Sequence, residues 1–354
     1  MKRLISKLCI LFIPISVIII ATNYYVDPAN IFSDEAYVNE IATILASGNN
    51  VDNISNYNER LLQKHFLQKQ SDKAPEVVVM GSSRIMEISK DIFPNKKLFN
   101  IGVSHANIND LVALTGLLDE LHIKPKTVVI NVDPYLICND DIVADEWTSL
   151  KKYHNAFLIN HCKDIIDSNK IKTGDNELKK YYTLITFDYF TKSIEFLLKG
   201  NTKIVENIGQ NVPKKYGRYI DGSIAYSYTY QHPDTLNVAK VAKGTAKTKI
   251  PEIDNVKVAY LICLLNYFKK NGTTVTLTML PFHPNFYDEV NRIQSNLFIN
   301  YESLFNEFAK DQQVKIIGSF NSKKLGINNI YFYDPYHCSG AAIKKIFQIY
   351  NNQP

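Results

Sequence analysis

The chain has 354 residues, 45% of them apolar and 21% charged, a composition close to the globular average that argues against long disordered tracts. Its net charge of +5 does not point to nucleic acid, because Lys2, Arg3 and Lys7 stand at the extreme N-terminus and the rest of the 40 basic side chains nearly balance the 35 acids. The eight histidines show no metal-ligand spacing such as H-E-x-x-H, so neither a metal nor an organic cofactor is expected.

Lys2, Arg3 and Lys7 flank a run from Leu8 to Ala21 without a charge, followed by the aromatic pair Tyr24 and Tyr25. The run alone suits a secretory h-region. With Leu4 to Ser6 and the residues up to Tyr25 it approaches spanning length. The missing small-x-small cleavage site and the tyrosine pair favour an uncleaved anchor over residues 1–25, with a cleaved signal peptide as the alternative and a buried core helix behind both. The basic flank predicts a single-pass protein of the cytoplasmic membrane, its N-terminus inside and everything from Asn23 outside. Cys9 lies too early for a lipoprotein-type signal. The remaining four, Cys138, Cys162, Cys263 and Cys338, permit two disulfides of unassigned pairing or else buried thiols.

Residues 26–74 read as a polar, mostly helical approach segment, with helices over Glu40–Ala46 and Glu59–Gln68 and a break at Asn49–Asn53. The main domain, 75–354, opens with the buried-strand run Val77–Val79, which feeds Met80-Gly81-Ser82-Ser83-Arg84. A strand over Lys97–Ile101, a leucine-rich helix from about Asn107 to Pro125 and a strand over Thr127–Val132 follow. An insertion from about Cys138 to Asp254 carries helical stretches near Tyr153–Asp167 and Glu177–Leu198. Residues 207–236, with Tyr216, Tyr219, Tyr226, Tyr228 and Tyr230, read as a long ordered loop over the site. Those tyrosines are either a sugar-stacking surface or a cover on the core. Alternation resumes with a helix Val256–Lys270, a strand Thr274–Leu280, a helix around Tyr301–Lys310, a strand Val314–Ile317 and a final helix Gly340–Tyr350. The pattern predicts a three-layer α/β/α domain with a parallel, doubly wound sheet and its chemistry at the carboxyl ends of the strands.

Acyl transfer by serine needs a hydroxyl at a turn, an imidazole to take its proton, a carboxylate to orient that imidazole, and backbone donors for the oxyanion. Ser83 follows the first strand, at the expected N-terminus of a helix; a simple helix cap at Ser82 or Ser83 is the competing reading. Asp334 and His337 lie in the loop before the last helix, spaced to reach one edge together. Asp119 and His122 share that spacing but end a leucine-rich helix, where a solvated face suffices. Arg84 would oppose a helix dipole, so it should bind an anionic substrate group or pair with a carboxylate such as Glu87, the latter being favoured. His283, at the end of the fourth strand, offers either a substrate contact or a loop-stabilising hydrogen bond.

This order of motifs resembles the SGNH (GDSL-like) hydrolase family over about Pro75 to Asn351, whose domain is flavodoxin-like. The resemblance implies that Gly81-Ser82-Ser83 stands for the Gly-Asp-Ser block with Ser83 as nucleophile, and that Asp334 and His337 are orienter and general base. The family's oxyanion glycine falls on His105, or on Gly102 in another register. Its oxyanion asparagine falls on Asp133, where a carboxylate would repel an oxyanion; Asn131, two residues earlier on the same strand face, offers the amide instead. Departures of this kind look like those of membrane-anchored members that modify cell-surface polysaccharide or teichoic-acid-like polymers, often beside a membrane-bound O-acyltransferase. The implied activity is ester hydrolysis or acyl transfer. The alternative is a non-catalytic glycan-binding or assembly subunit.

Overall fold

The computed structural model describes residues 2–28, 34–72, 74–138, 146–163, 179–198, 205–247 and 252–351. In chain order the elements are α1 (Lys2–Val26), α2 (Asp34–Ala46), β1 (Asn50–Asp52), α3 (Glu59–Lys69), β2 (Val77–Met80), β3 (Leu98–Asn100), α4 (Ile108–Glu120), β4 (Thr127–Asn131) and a single turn, α5 (Pro134–Ile137). Next come α6 (Lys151–His161), α7 (Lys179–Tyr182), α8 (Phe187–Leu198), β5 (Glu206–Gly209), β6 (Gly217–Arg218), β7 (Ile224–Ala225), α9 (Tyr228–Gln231) and α10 (Thr235–Thr245). The chain ends with α11 (Asn255–Lys270), β8 (Thr274–Met279), α12 (Pro284–Ile293), α13 (Leu297–Asp311), β9 (Lys315–Gly318) and α14 (Gly340–Asn351).

The main sheet has five strands in the order β3-β2-β4-β8-β9, every pair parallel. Strands covered on both faces need apolar residues on both, and Val77 to Met80 are all buried. Val78 and Met80 face a core shared with α2, α3, α4, α11 and α13, while Val77 and Val79 face α14 and the short turns around Ile85 and Ile327. Helices thus flank both faces. The chain leaves β2 for β3 and returns past it to β4, so the sheet's switch point lies at the carboxyl end of β2, where Ser83 follows.

The approach segment is part of this body: Val38, Ile41, Leu45, Leu62, Phe66 and Leu67 are buried in the larger core. Its expected break is a strand. β1 pairs with β5 and β6 in a second, antiparallel sheet of order β5-β1-β6-β7. Likewise 207–236 is not a plain loop but holds β6, β7, α9 and the start of α10. These strands are two to four residues long, too short to show a period, and the partners of β1 are distant in sequence.

Within the insertion, α6 and α8 match the two expected helical stretches in part; residues 164–178 lie outside the described residues. A disulfide joins Cys162, after α6, to Cys263 in α11, while Cys138 and Cys338 are buried thiols. The last turn of α1 is fastened to the region of α8: Asn23 Nδ2 donates to Leu184 O and Thr186 O at 2.9 and 3.2 Å, and Ser193 Oγ donates to Asn23 Oδ1 at 3.1 Å. Among the described residues no helix is long and apolar enough to cross a membrane.

Candidate active site

The turn after β2 requires its glycine. Gly81 has φ 153°, and a Cβ there would stand 2.6 Å from the Cβ of Asn131. A single 3₁₀ turn, Ser83–Ile85, follows in place of the expected α-helix. One turn has no appreciable macrodipole, so the conflict expected for Arg84 does not arise. Ser82 makes no side-chain cap; its hydroxyl donates to Asp133 Oδ2 at 3.2 Å.

Ser83, His337 and Asp334 form one continuous chain of hydrogen bonds. His337 Nδ1 donates to Asp334 Oδ2 at 2.7 Å, which leaves Nε2 as the acceptor for the Ser83 hydroxyl, also at 2.7 Å. The short loop is tied by its own carboxylate: Asp334 Oδ1 accepts from the backbone N–H of Tyr336 and of His337 at 2.7 and 2.8 Å. Burial alone would raise the Asp334 carboxyl, but the bond and charge of His337, with the bonds from Tyr230 and Tyr336, hold it down at about 2. It therefore stays ionised at neutral pH.

Tyr230 is the member the sequence did not mark out. Its hydroxyl donates to Asp334 Oδ2 at 2.5 Å and lies 3.2 Å from His337 Nδ1. Around it, Tyr226 and Tyr333 pack edge-on or tilted, so part of the tyrosine-rich stretch covers the Asp-His side of the site. Tyr228 instead is exposed and stacks on His232. The tyrosine cluster was legible as composition only; nothing local says which hydroxyl reaches a partner 104 residues away.

Arg84 does not meet Glu87. It is buried, donates through Nε to Tyr336 O at 3.2 Å and through Nη2 to Pro281 O at 3.1 Å and to Leu280 O, and lies over the ring of Phe282. Its Nη1 stands 4.0 Å from Asp133 Oδ2. Glu87 is bonded by the Tyr333 hydroxyl at 3.1 Å, and its burial pushes the carboxyl up to about 7. Asp133 accepts from Ser82, from Asn131 Nδ2 at 3.0 Å and from Tyr135 N at 3.1 Å. Burial raises its carboxyl while Arg84 and these bonds pull it back. Arg84 thus faces the negative charge that the sequence left unanswered, and the Asn131 amide is turned to Asp133.

In the loop after β3, Gly102 N–H is committed to Asn100 Oδ1 at 3.0 Å. His105 has an exposed side chain and a left-handed backbone, φ 51°. The N–H groups of Ser83 and His105 have no acceptor among the described residues. His283 is fully buried; its Nδ1 accepts from Asn285 N at 3.2 Å as the cap of α12 and its N–H donates to Pro335 O at 3.0 Å, the loop-stabilising alternative. Asp119 accepts from His161 and Tyr267, both at 2.8 Å, beside the disulfide and away from the triad.

No family model matches this chain, and a comparison with curated proteins finds no match.

Proposed function

We propose that this protein is an extracytoplasmic, SGNH-type serine enzyme that moves or removes an acyl group, O-acetyl or similar, on a cell-surface glycan or polymer. The observation that carries the reading is the unbroken relay from Ser83 Oγ through His337 to Asp334 at the carboxyl end of the sheet, with both links at 2.7 Å. His337 Nε2 takes the Ser83 proton as Oγ bonds to the acyl carbon and the carbonyl electron pair moves to oxygen. The backbone N–H groups of Ser83 and His105 receive that oxyanion. Collapse breaks the bond to the leaving oxygen, which takes the proton from His337, and acyl-Ser83 remains. Water or a sugar hydroxyl, deprotonated by the same imidazole, then releases it.

The disulfide supports an oxidising compartment, and the basic-then-apolar N-terminus supports a membrane anchor, with a membrane-bound O-acyltransferase as a donor-side partner. A non-catalytic glycan-binding subunit is the second reading, favoured by Asp133 where the family has its oxyanion asparagine. The deciding test follows acetate release from O-acetylated surface polysaccharide, and acetyl transfer from a chromogenic acetyl ester to oligosaccharide. Turnover by wild type that is absent in Ser83→Ala supports the enzyme. Binding of glycan without turnover by either protein supports the second reading.

A further inference from the structure

Two consecutive residues at the start of α3 grip the two peptides that flank Ser104, in the loop that carries His105. Glu59 Oε2 accepts the N–H of Ser104, and Arg60 Nη2 donates to Ser104 O at 2.8 Å. Each grip is itself held. Arg218 Nη2 donates to Glu59 Oε1 at 2.7 Å. Arg60 donates through Nε to Asp110 Oδ1 at 2.8 Å and through Nη2 to Asp110 Oδ2 at 3.2 Å, and through Nη1 to Glu146. Asp110 also closes the capping box of α4 by accepting from Asn107 N at 2.9 Å. Glu59, Arg60, Asp110 and Arg218 are all buried, and burying four charges is costly unless each is matched, as here.

The geometry of the amide says what this grip controls. In a trans peptide the carbonyl and the following N–H point in opposite directions, so fixing Ser104 O toward α3 aims the His105 N–H away from α3. Val103 N donates to Gly81 O at 3.0 Å, which lays this loop along the turn bearing Ser83. A non-glycine residue at φ 51° persists only where its surroundings over-determine it, and the Ser104 clamp supplies that constraint.

We propose that Glu59 and Arg60 are positioning residues for the oxyanion hole: Arg60 holds the Ser104–His105 peptide by its carbonyl and Glu59 fixes the peptide before it, so that the His105 N–H meets the negative charge forming on the acyl oxygen when Ser83 attacks. This rests on the serine-acyl reading above. No proton leaves the His105 amide; it donates a hydrogen bond that strengthens as the carbonyl electron pair moves onto oxygen.

The test uses the full chain in detergent, with a fluorophosphonate to titrate Ser83 and a chromogenic acetyl ester for turnover. Arg60→Met should lower kcat roughly 100-fold, as expected for a misplaced oxyanion donor, with KM and the pH midpoint of the acid limb unchanged. The carbonyl stretch of a carbon-13 acyl-Ser83 should move to higher wavenumber, and Arg60→Lys should recover part of kcat. If Arg60→Met does not fold, Arg60→Lys and Glu59→Gln carry the same readouts. Wild-type kcat and an unmoved carbonyl stretch in these variants would overturn the clamp and leave the serine enzyme standing. A wild type that neither labels nor turns over would remove the serine reading and the clamp with it.

Discussion

Asp334→Asn should separate two jobs of one carboxylate. Asp334 accepts four hydrogen bonds, two on each oxygen, and without them its burial would favour the protonated, uncharged carboxyl. An asparagine amide turned toward His337 Nδ1 makes that nitrogen an acceptor and moves the ring proton to Nε2, which then cannot take the serine proton; kcat should fall roughly 10⁴-fold. Stability follows from the titration. A carboxyl held at about 2 in the folded chain, against an ordinary 3.8, contributes stability above 3.8 that is lost as pH falls through about 2. At 1.36 kcal/mol per pH unit, the gap in unfolding free energy between wild type and Asp334→Asn should shrink by about 2 kcal/mol from pH 6 to pH 2. Urea unfolding of both proteins at the two pH values reads this directly. A gap that does not change with pH, or a kcat loss under tenfold, would refute the reasoning.

The other expectations are shorter. His105→Gly relieves a left-handed strain of about 1 kcal/mol and keeps the N–H, so ester turnover should stay within roughly threefold of wild type; a large loss would assign the role to the imidazole instead. Tyr230→Phe removes one donor to Asp334 and should lower kcat roughly tenfold with little change in KM, while an unchanged kcat would make the tyrosine a cover only. Replacing Cys162 and Cys263 by alanine opens a crosslink spanning 101 residues and should cost about 4 to 5 kcal/mol in denaturant unfolding; equal stability before and after reduction of wild type would argue against the bond.

The α/β frame was legible because its strands are short apolar runs ending in glycine or proline turns, and each of Val77–Val79, Thr127–Val132 and Thr274–Leu280 lies within a residue or two of the strand observed. The proximity of Ser83, His337 and Asp334 was legible from placement: Ser83 at one strand end and Asp334 and His337 before the last helix meet at hydrogen-bonding distance, whereas Asp119 bonds His161 instead. α12 had a usable cue in Pro284 at its first position, which the reading of His283 as a site residue overlooked. What stayed hidden is non-local. Nothing in Asn50-Val51-Asp52 says that its partners lie some 160 residues on. Arg84 was expected to find a neighbouring acid and found backbone carbonyls of two distant loops. Glu59 and Arg60 read as ordinary charges opening a helix, and only the tertiary structure brings the backbone N–H and carbonyl of Ser104 to them.

The most direct measurement is intact-mass and peptide mapping after exposure to a fluorophosphonate, for wild type and Ser83→Ala. A single adduct on Ser83, lost in the variant, is the predicted result. An intact, folded wild type that takes no adduct, or one whose adduct sits elsewhere and survives Ser83→Ala, would contradict a serine nucleophile at this position.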